Sequence, residues 1–62
     1  MPIIHAHILE GRPEAAKADF ARAVTQAAVD HLGVTHQQVR VLVHETPPAA
    51  WFVGGESKAR PK

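Results

Sequence analysis

The first stretch of the chain has the hydrophobic pattern of a strand. Residues 3–9 form a short apolar run that ends at Glu10-Gly11, and a run of this length before a turn sequence is typical of a β-strand. Successive strand side chains point to opposite faces. The face suited to packing under a helix comprises Ile4, Ala6 and Ile8. The other face is mixed, as expected where another subunit packs, and comprises Ile3, His5, His7 and Leu9.

The pattern then changes to a helical period. Residues 13–32 are predicted to form one long helix, because Pro13 suits a first turn and Gly33 is a natural C-terminal stop. The stripe expected to face the core repeats every three to four residues and consists of Ala16, Phe20, Ala21, Val24, Ala27, Ala28 and Leu32. The polar positions expected to lie largely elsewhere are Lys17, Arg22, Gln26 and Asp30.

A second strand follows a short helical turn. Thr35 and Gln38 have the spacing of a capping box, and residues 39–45 alternate again in hydrophobicity. Strand, helix and strand in this order predict a parallel pair joined by a crossover. The predicted fold is therefore an α/β (α+β) β-α-β unit with two parallel strands and one long helix. So small a sheet has open edges and one bare face, which we expect other copies of the chain to cover.

An apolar loop closes the patterned part of the chain. Pro47-Pro48 ends the second strand, and residues 49–55 carry Trp51 and Phe52 before Gly54-Gly55. Aromatic side chains on such a loop serve a subunit interface or the wall of a ligand pocket. We expect a single domain over residues 1–62, with residues 58–62 as a mobile tail.

Composition narrows the possible functions. The chain has 62 residues, 45% of them hydrophobic, and no cysteine, so disulfides and thiolate metal sites are excluded and association of copies is the expected source of stability. No apolar run is long enough to span a membrane, and the expected location is cytoplasmic. The net charge of +1 includes three basic residues in the last five positions, which does not indicate a nucleic-acid-binding face.

Two histidines are candidates for metal binding but have a simpler interpretation. His5 and His7 have the i, i+2 spacing that places both rings on one strand face. A pair without a third ligand nearby is a weak metal signal, and we interpret these residues as interface or solvent histidines. The sequence predicts no metal and no cofactor.

The chemistry-bearing group is the second residue. Removal of Met1, which a small second residue generally permits, leaves Pro2 with a free secondary amine. Burial and nearby guanidinium groups disfavour the charged form of an amine and lower its pKa. An amine of this kind is a competent base near neutral pH. The alternative is that Pro2 only starts a strand, where its missing N–H is harmless.

Several features together resemble 4-oxalocrotonate tautomerase and its family. They are Pro2 behind methionine, the strand ending in residues 8–12 (Ile-Leu-Glu-Gly-Arg), the long helix, Val39-Arg40-Val41, and an aromatic residue followed by Gly54-Gly55. The resemblance covers about residues 2–56. It implies a hexamer built as a trimer of dimers, with sites at subunit boundaries. Residues 45–48 also resemble small tautomerases of biosynthetic pathways.

The resemblance implies a role for each matching residue. Pro2 is the catalytic amine, and Arg12 and Arg40 are catalytic and substrate-binding arginines from more than one subunit. Trp51 occupies the position of the pocket aromatic. Phe52 stands where the family commonly has glycine, which would narrow the pocket, alter substrate choice or change subunit packing.

The function implied is a cofactor-independent keto–enol tautomerase, an isomerase acting on a small unsaturated 2-hydroxy or 2-oxo acid such as 2-hydroxymuconate. One alternative is a hydratase or dehalogenase of unsaturated acids that uses the same proline, with Glu10 or Glu45 as candidates to activate water. The other is a non-catalytic oligomeric binding module, which requires Met1 to be retained because the Pro2 nitrogen is then an amide.

Overall fold

The computed structural model describes residues 1–59, so Arg60, Pro61 and Lys62 of the expected mobile tail lie outside the described residues. The long elements are β1 (Ile3–Leu9), α1 (Glu14–Leu32) and β2 (Arg40–Thr46). Two 3₁₀ turns, His36–Gln38 and Pro48–Ala50, flank β2, and a hairpin of β3 (Phe52–Val53) and β4 (Glu56–Ser57) follows. The predicted order of strand, helix and strand is confirmed.

β1 and β2 form a parallel pair without any offset. Ile3 lies opposite Arg40, and the register continues to Leu9 opposite Thr46. Paired residues share a face of the sheet, so the register fixes which side chains of the two strands meet. The face toward α1 carries Ile4, Ala6, Ile8, Val41, Val43 and Glu45. The bare face carries Ile3, His5, His7, Leu9, Arg40, Leu42, His44 and Thr46.

The ends of the helices follow the local sequence signals. Pro13, with φ −65°, directly precedes α1, and Gly33, with φ 69°, ends it. The predicted capping box is also present: the Thr35 side chain accepts from the backbone of Gln38, and the Gln38 side chain accepts from the Thr35 N–H at 3.0 Å. No helix among residues 1–59 is both long and apolar enough to cross a membrane.

The predicted core stripe of α1 is only partly correct. Ala28, 6% exposed, is the one buried residue in the described part of the chain, whereas Phe20 is 43% and Leu32 61% exposed. Ala16 and Ala27 are exposed as well. The helix residues that are half-buried are Lys17, Ala21, Val24, Thr25 and Val29. A helix of 19 residues spans about 28 Å and lies on two strands of only seven residues, so both its ends and its flanks extend beyond the sheet.

The C-terminal hairpin is a structural element that the sequence prediction treated as a loop. Phe52 pairs with Ser57 and Val53 with Glu56 across a two-residue turn. That turn is made by Gly54 and Gly55, with φ 60° and 85°. Positive φ at both central positions defines a type I′ turn, which glycine adopts without steric cost. In the sequence, the adjacent glycines Gly54 and Gly55 were therefore the feature that could have predicted this hairpin.

One copy of the chain leaves much of its apolar surface in water. Its accessible surface is 4641 Å², whereas a compact monomer of this mass has about 3,900 Å². Ile3 on the bare sheet face is 57% exposed, and Phe52 and Val53 of the hairpin are 61% and 63% exposed. Exposure of this extent is typical of a subunit whose core is completed by others.

Candidate active site

Pro2 and Arg40 lie at the same edge of the β1–β2 sheet, the edge formed by the N-terminal ends of both strands. Pro2 directly precedes β1 and is half-buried, and Arg40 is the first residue of β2. The backbone N–H of Arg40 donates to the carbonyl of Pro2 at 3.0 Å. This contact follows from the parallel register, which starts both strands at one level. Two of the predicted site residues are therefore adjacent in a single copy.

The Arg40 side chain belongs to the bare face of the sheet. It is exposed, and its Nη1 donates to the backbone carbonyl of Gln37 at 2.6 Å. A guanidinium has five N–H donors in a planar fork, so this single bond leaves donors for a carboxylate or a carbonyl oxygen. Its backbone contacts Pro2 of its own copy, and its side chain is open to a copy packed on the bare face.

Arg12 lies at the opposite edge. It follows β1 through Gly11, whose φ of 123° is a conformation that other residues rarely adopt. Its Nη1 donates to the carbonyl of Leu9 at 3.2 Å. The N–H of Glu10 donates to the carbonyl of Thr46 at 3.0 Å, which ties this turn to the end of β2.

The sheet therefore separates Pro2 from Arg12. A strand rises about 3.3 Å per residue, and the seven residues of β1 lie between the two, so their backbones are roughly 20 Å or more apart. No rotamer of Arg12 spans that distance. The structure brings Pro2 and Arg40 together and keeps Arg12 away from both within one copy.

A cavity of about 330 Å³ adjoins Arg12 on the helix side of the sheet. Its lining consists of Ile8, Arg12, Ala16, Lys17 and Phe20. Phe20 and Ala16 are two of the residues that the sequence prediction assigned to the core. Their exposure on this cavity means that a second molecule, whether ligand or protein, can cover them.

Lys17 is the residue beside this cavity that sequence reasoning misplaced. It was predicted to lie on the polar side of the helix, but its side chain is only 16% exposed. Its ammonium group donates to Glu14 and to Glu45, each at 3.0 Å. The hydrogen bond to Glu45, and then the one to Glu14, raises the pKa of Lys17 above its ordinary value. The ion pair of Lys17 with Glu45 links the first turn of α1 to the end of β2. In the sequence, only the ion pair with Glu14 was indicated, by the i, i+3 spacing of the two residues.

Replacement of Lys17 is expected to lower the melting temperature in a pH-dependent way. A pKa raised by folding means that the ion pair stabilises the folded chain below the ordinary pKa of 10.5 and that this contribution is lost as the pH rises through the raised value. Lys17→Met keeps the apolar stem and removes the charge. At equal protein concentration, the difference in melting temperature from the unmodified chain should shrink above pH 10.5. A difference that is constant from pH 8 to pH 11.5 would contradict this role.

The two aromatic residues of the loop differ in exposure. Trp51 is half-buried, and its carbonyl accepts from the N–H of Lys58 at 2.9 Å. Phe52 begins β3 and is 61% exposed. Neighbouring residues in an extended segment point to opposite sides, so the Trp51 ring packs on its own copy and the Phe52 ring points away from it.

Three imidazoles lie together on the bare face, which sequence reasoning did not foresee. His7 pairs with His44 in register, and His5 lies diagonally across from His44. The His44 ring stacks on the rings of both His5 and His7. No group of three or more His, Cys, Asp or Glu side chains within residues 1–59 is placed to hold a metal ion. The missing information was the register, because each strand alone shows only its own histidines.

Comparison with known proteins identifies the fold and the family. Residues 2–60 match the protein family described as Tautomerase enzyme. A solved structure of TomN, a 4-oxalocrotonate tautomerase homologue in the tomaymycin biosynthetic pathway, is 48% identical, with a TM-score of 0.91 over 94% of this chain and 89% of that one.

Two further proteins match over nearly their whole length. A 2-hydroxymuconate tautomerase of Stutzerimonas stutzeri is 40% identical over 57 residues, which are 92% of this chain and 90% of that protein. A heterohexameric 4-oxalocrotonate tautomerase of Chloroflexus aurantiacus is 39% identical, with a TM-score of 0.93 and complete coverage of both chains.

Proposed function

The chain belongs to the tautomerase family, whose members are isomerases, and from this premise we propose that it is a cofactor-independent keto–enol tautomerase of small unsaturated 2-hydroxy or 2-oxo acids. The proposed substrate class is exemplified by 2-hydroxymuconate, the compound named for the Stutzerimonas relative. The observation that carries the proposal is the placement of Pro2 beside Arg40 at one sheet edge and of Arg12 at the other.

Pro2 is the proposed general base and acid. Once Met1 is removed, its nitrogen carries a lone pair that takes the proton from the 2-hydroxyl group of the dienol. The same nitrogen returns a proton to a carbon of the conjugated chain, so the substrate loses and gains one proton and its formula is unchanged. The half-burial of Pro2 and nearby arginines favour the neutral amine, which is the form that accepts a proton.

The arginines are the proposed anion-binding groups. In the transition state, negative charge is spread over the oxygen at carbon 2 and the adjacent carboxylate. Arg40 is proposed to stabilise this charge, because it lies at the Pro2 edge with donors left over. Arg12 is proposed to hold the remote carboxylate of a dicarboxylate substrate by the bidentate geometry that guanidinium groups favour.

A complete site requires more than one copy. Pro2 and Arg12 lie at opposite sheet edges, so a second chain running in the opposite direction would bring its Arg12 to the Pro2 of the first. The exposed bare face and hairpin supply further surfaces for association. Assembly into a hexamer, as described for the Chloroflexus relative, is therefore part of the proposal.

The aromatic loop is proposed to close the pocket. Trp51 would exclude water and thereby strengthen the ionic contacts. The exposed Phe52 ring would enter the pocket of another copy, where it narrows the space available to the substrate. A single domain over residues 1–62 is also part of this proposal.

One alternative chemistry finds less support in the geometry of a single copy. Activation of water for a hydratase or dehalogenase reaction requires a free carboxylate beside the amine. Glu45 accepts a hydrogen bond from Lys17 on the helix side of the sheet, and Glu10 lies in the turn at the Arg12 edge. Neither lies at the Pro2 edge of its own copy. Glu45 is already bound to Lys17, so Glu10, supplied by the copy that supplies Arg12, is the carboxylate that this alternative would require.

The proposal is tested by ultraviolet absorbance with a panel of 2-hydroxydienoic acids. Protein whose intact mass shows Met1 removed should ketonise a dicarboxylate such as 2-hydroxymuconate with a higher kcat/KM than its monocarboxylate analogue, because only the dicarboxylate reaches Arg12. The matched negative control is the same protein with Met1 retained. Absence of activity on every member of the panel would refute the proposed reaction, and equal rates on the two acids would refute the role of Arg12.

A further inference from the structure

Packing of the bare face of the β1–β2 sheet against further copies is part of the assembly proposed above, and we propose that this packing requires uncharged imidazoles at His5, His7 and His44, the histidine patch. The proposal rests on the assembly proposed above and adds a condition to it. It does not rest on the tautomerase reaction.

The geometry of the histidine patch suits neutral rings. His5 Nδ1 and His44 Nε2 are 2.8 Å apart, a hydrogen bond in which one nitrogen donates and the other accepts. The centroid of the His44 ring lies 5.1 Å from that of His5 and 4.7 Å from that of His7, with interplanar angles of 15° and 17°. If both members of the bonded pair carried a proton on each nitrogen, two N–H groups would face each other and the bond would be lost.

The strand residues that share the bare face with the patch carry no negative charge. Apart from the patch, the bare face carries one ionisable side chain in β1 and β2, the cationic Arg40. The acidic residue of β2, Glu45, lies on the opposite face and is bound to Lys17. The N-terminal amine at the sheet edge is also cationic when protonated. Each proton taken up by the patch therefore adds to a positive field on this face.

A second copy is the occupant that this surface fits. Apart from the histidine patch and Arg40 at its end, the face carries only aliphatic side chains and Thr46, and its apolar members Ile3 and Leu42 are 57% and 41% exposed. Such a surface is complementary to another like itself and offers no acidic or basic pattern to a different partner. The chain also has more accessible surface than a compact monomer of its mass.

Packing two such faces together removes water from the histidine patch. Charged imidazoles lose hydration on burial, whereas neutral ones lose little. Histidine side chains generally take up protons between about pH 8 and pH 5. The separate chains are then free to bind protons that the assembly excludes, and proton uptake favours dissociation by mass action.

The experiment measures particle mass by light scattering from pH 8 to pH 5 at fixed protein concentration and ionic strength. The assembly is expected at about six times 6.7 kDa at pH 8, with smaller species toward pH 5. The association constant should fall about tenfold per pH unit for each proton that the assembly excludes. Mass is the readout because protonation of Pro2 lowers catalytic activity in the same pH range.

The five histidines provide matched variants. The triple variant His5→Gln, His7→Gln, His44→Gln keeps polar side chains and should retain its pH 8 mass at pH 5. The control variant His31→Gln, His36→Gln changes the two histidines that lie outside the patch, and it should dissociate like the unmodified chain. If the triple variant fails to assemble at pH 8, each single substitution in the patch should still make the pH dependence less steep.

The possible results separate the two proposals. A monomer at pH 8 refutes the proposed assembly. A particle whose mass is unchanged down to pH 5 refutes only the histidine condition. The same holds if the triple variant dissociates like the unmodified chain, if no single substitution in the patch alters the steepness, or if His31→Gln, His36→Gln abolishes the pH dependence.

Discussion

A protein that keeps one residue in front of Pro2 is expected to lack the proposed tautomerase activity while remaining folded and assembled. The Pro2 nitrogen is then an amide without a basic lone pair, so it cannot accept the substrate proton. Loss of a general base typically costs about 10²–10⁴ in rate. Intact mass, circular dichroism and light scattering establish that only the amine has changed, and kcat/KM measured by absorbance gives the effect.

Pro2→Ala is the matched control for this prediction. After removal of Met1 it leaves a primary amine in nearly the same position, so activity should be reduced but detectable. In the unmodified protein, kcat/KM should rise with pH along one ionisation and level off near neutrality, because the neutral amine is the active form. Full activity in a protein whose mass includes Met1 would contradict the role of Pro2.

Covalent labelling distinguishes Pro2 from the other nucleophiles. A halogenated 2-oxo acid should attach to Pro2 in preference to the five histidines and three lysines of the chain. For one of these lysines the structure explains why labelling is not expected. Lys17 is held as an ammonium group between Glu14 and Glu45, and an ammonium group is not nucleophilic. Peptide mapping of the labelled protein should find the adduct on the N-terminal peptide.

The two long strands, the helix and the inward face of β1 could be predicted from the sequence because they depend on local periodicity. β1 has the bounds expected from its apolar run, and the capping box at Thr35 is present. The inward face of β1 was also correct, since alternation along a strand is independent of what packs on it. The resemblance to the tautomerase family, which supplied the candidate site, is confirmed by the match over residues 2–60.

What could not be predicted depends on distances between segments. The histidine patch exists because the register sets His7 opposite His44, and no feature of either strand alone specifies that offset. The position of Lys17 depends on where β2 ends relative to the first helical turn, which brings Glu45 within reach. Phe20 and Leu32 are exposed because the sheet is too narrow and short for its helix. Their apolar character predicts burial, but it does not indicate which subunit covers them.

The separation of Pro2 from Arg12 leads to a test that mixes two defective proteins. One protein keeps a residue in front of Pro2, and the other carries Arg12→Ala. If the two groups of a site come from different copies, unfolding and refolding the mixture should create some sites with an intact Pro2 and an intact Arg12, and kcat/KM should exceed that of either protein alone. The same mixture made with Arg40→Ala determines whether Arg40 serves its own copy's Pro2. Failure of the Arg12 mixture to regain activity would sink the proposal of a shared site.

Substitution of the two arginines is expected to affect different kinetic constants. Arg40→Ala should lower kcat by about 10²–10³, the usual cost of removing a donor to an oxygen on which negative charge develops, and KM should change less. Arg12→Ala should act mainly on KM, because a contact to a remote carboxylate is made equally in the ground and transition states. Arg22→Ala is the control, since Arg22 lies exposed on α1 in an ion pair with Asp19, and it should leave both constants unchanged. Small and equal effects from Arg40→Ala and Arg12→Ala would show that these residues do not form the site, because a carboxylate-binding arginine and a charge-stabilising one cannot both be lost without a kinetic cost.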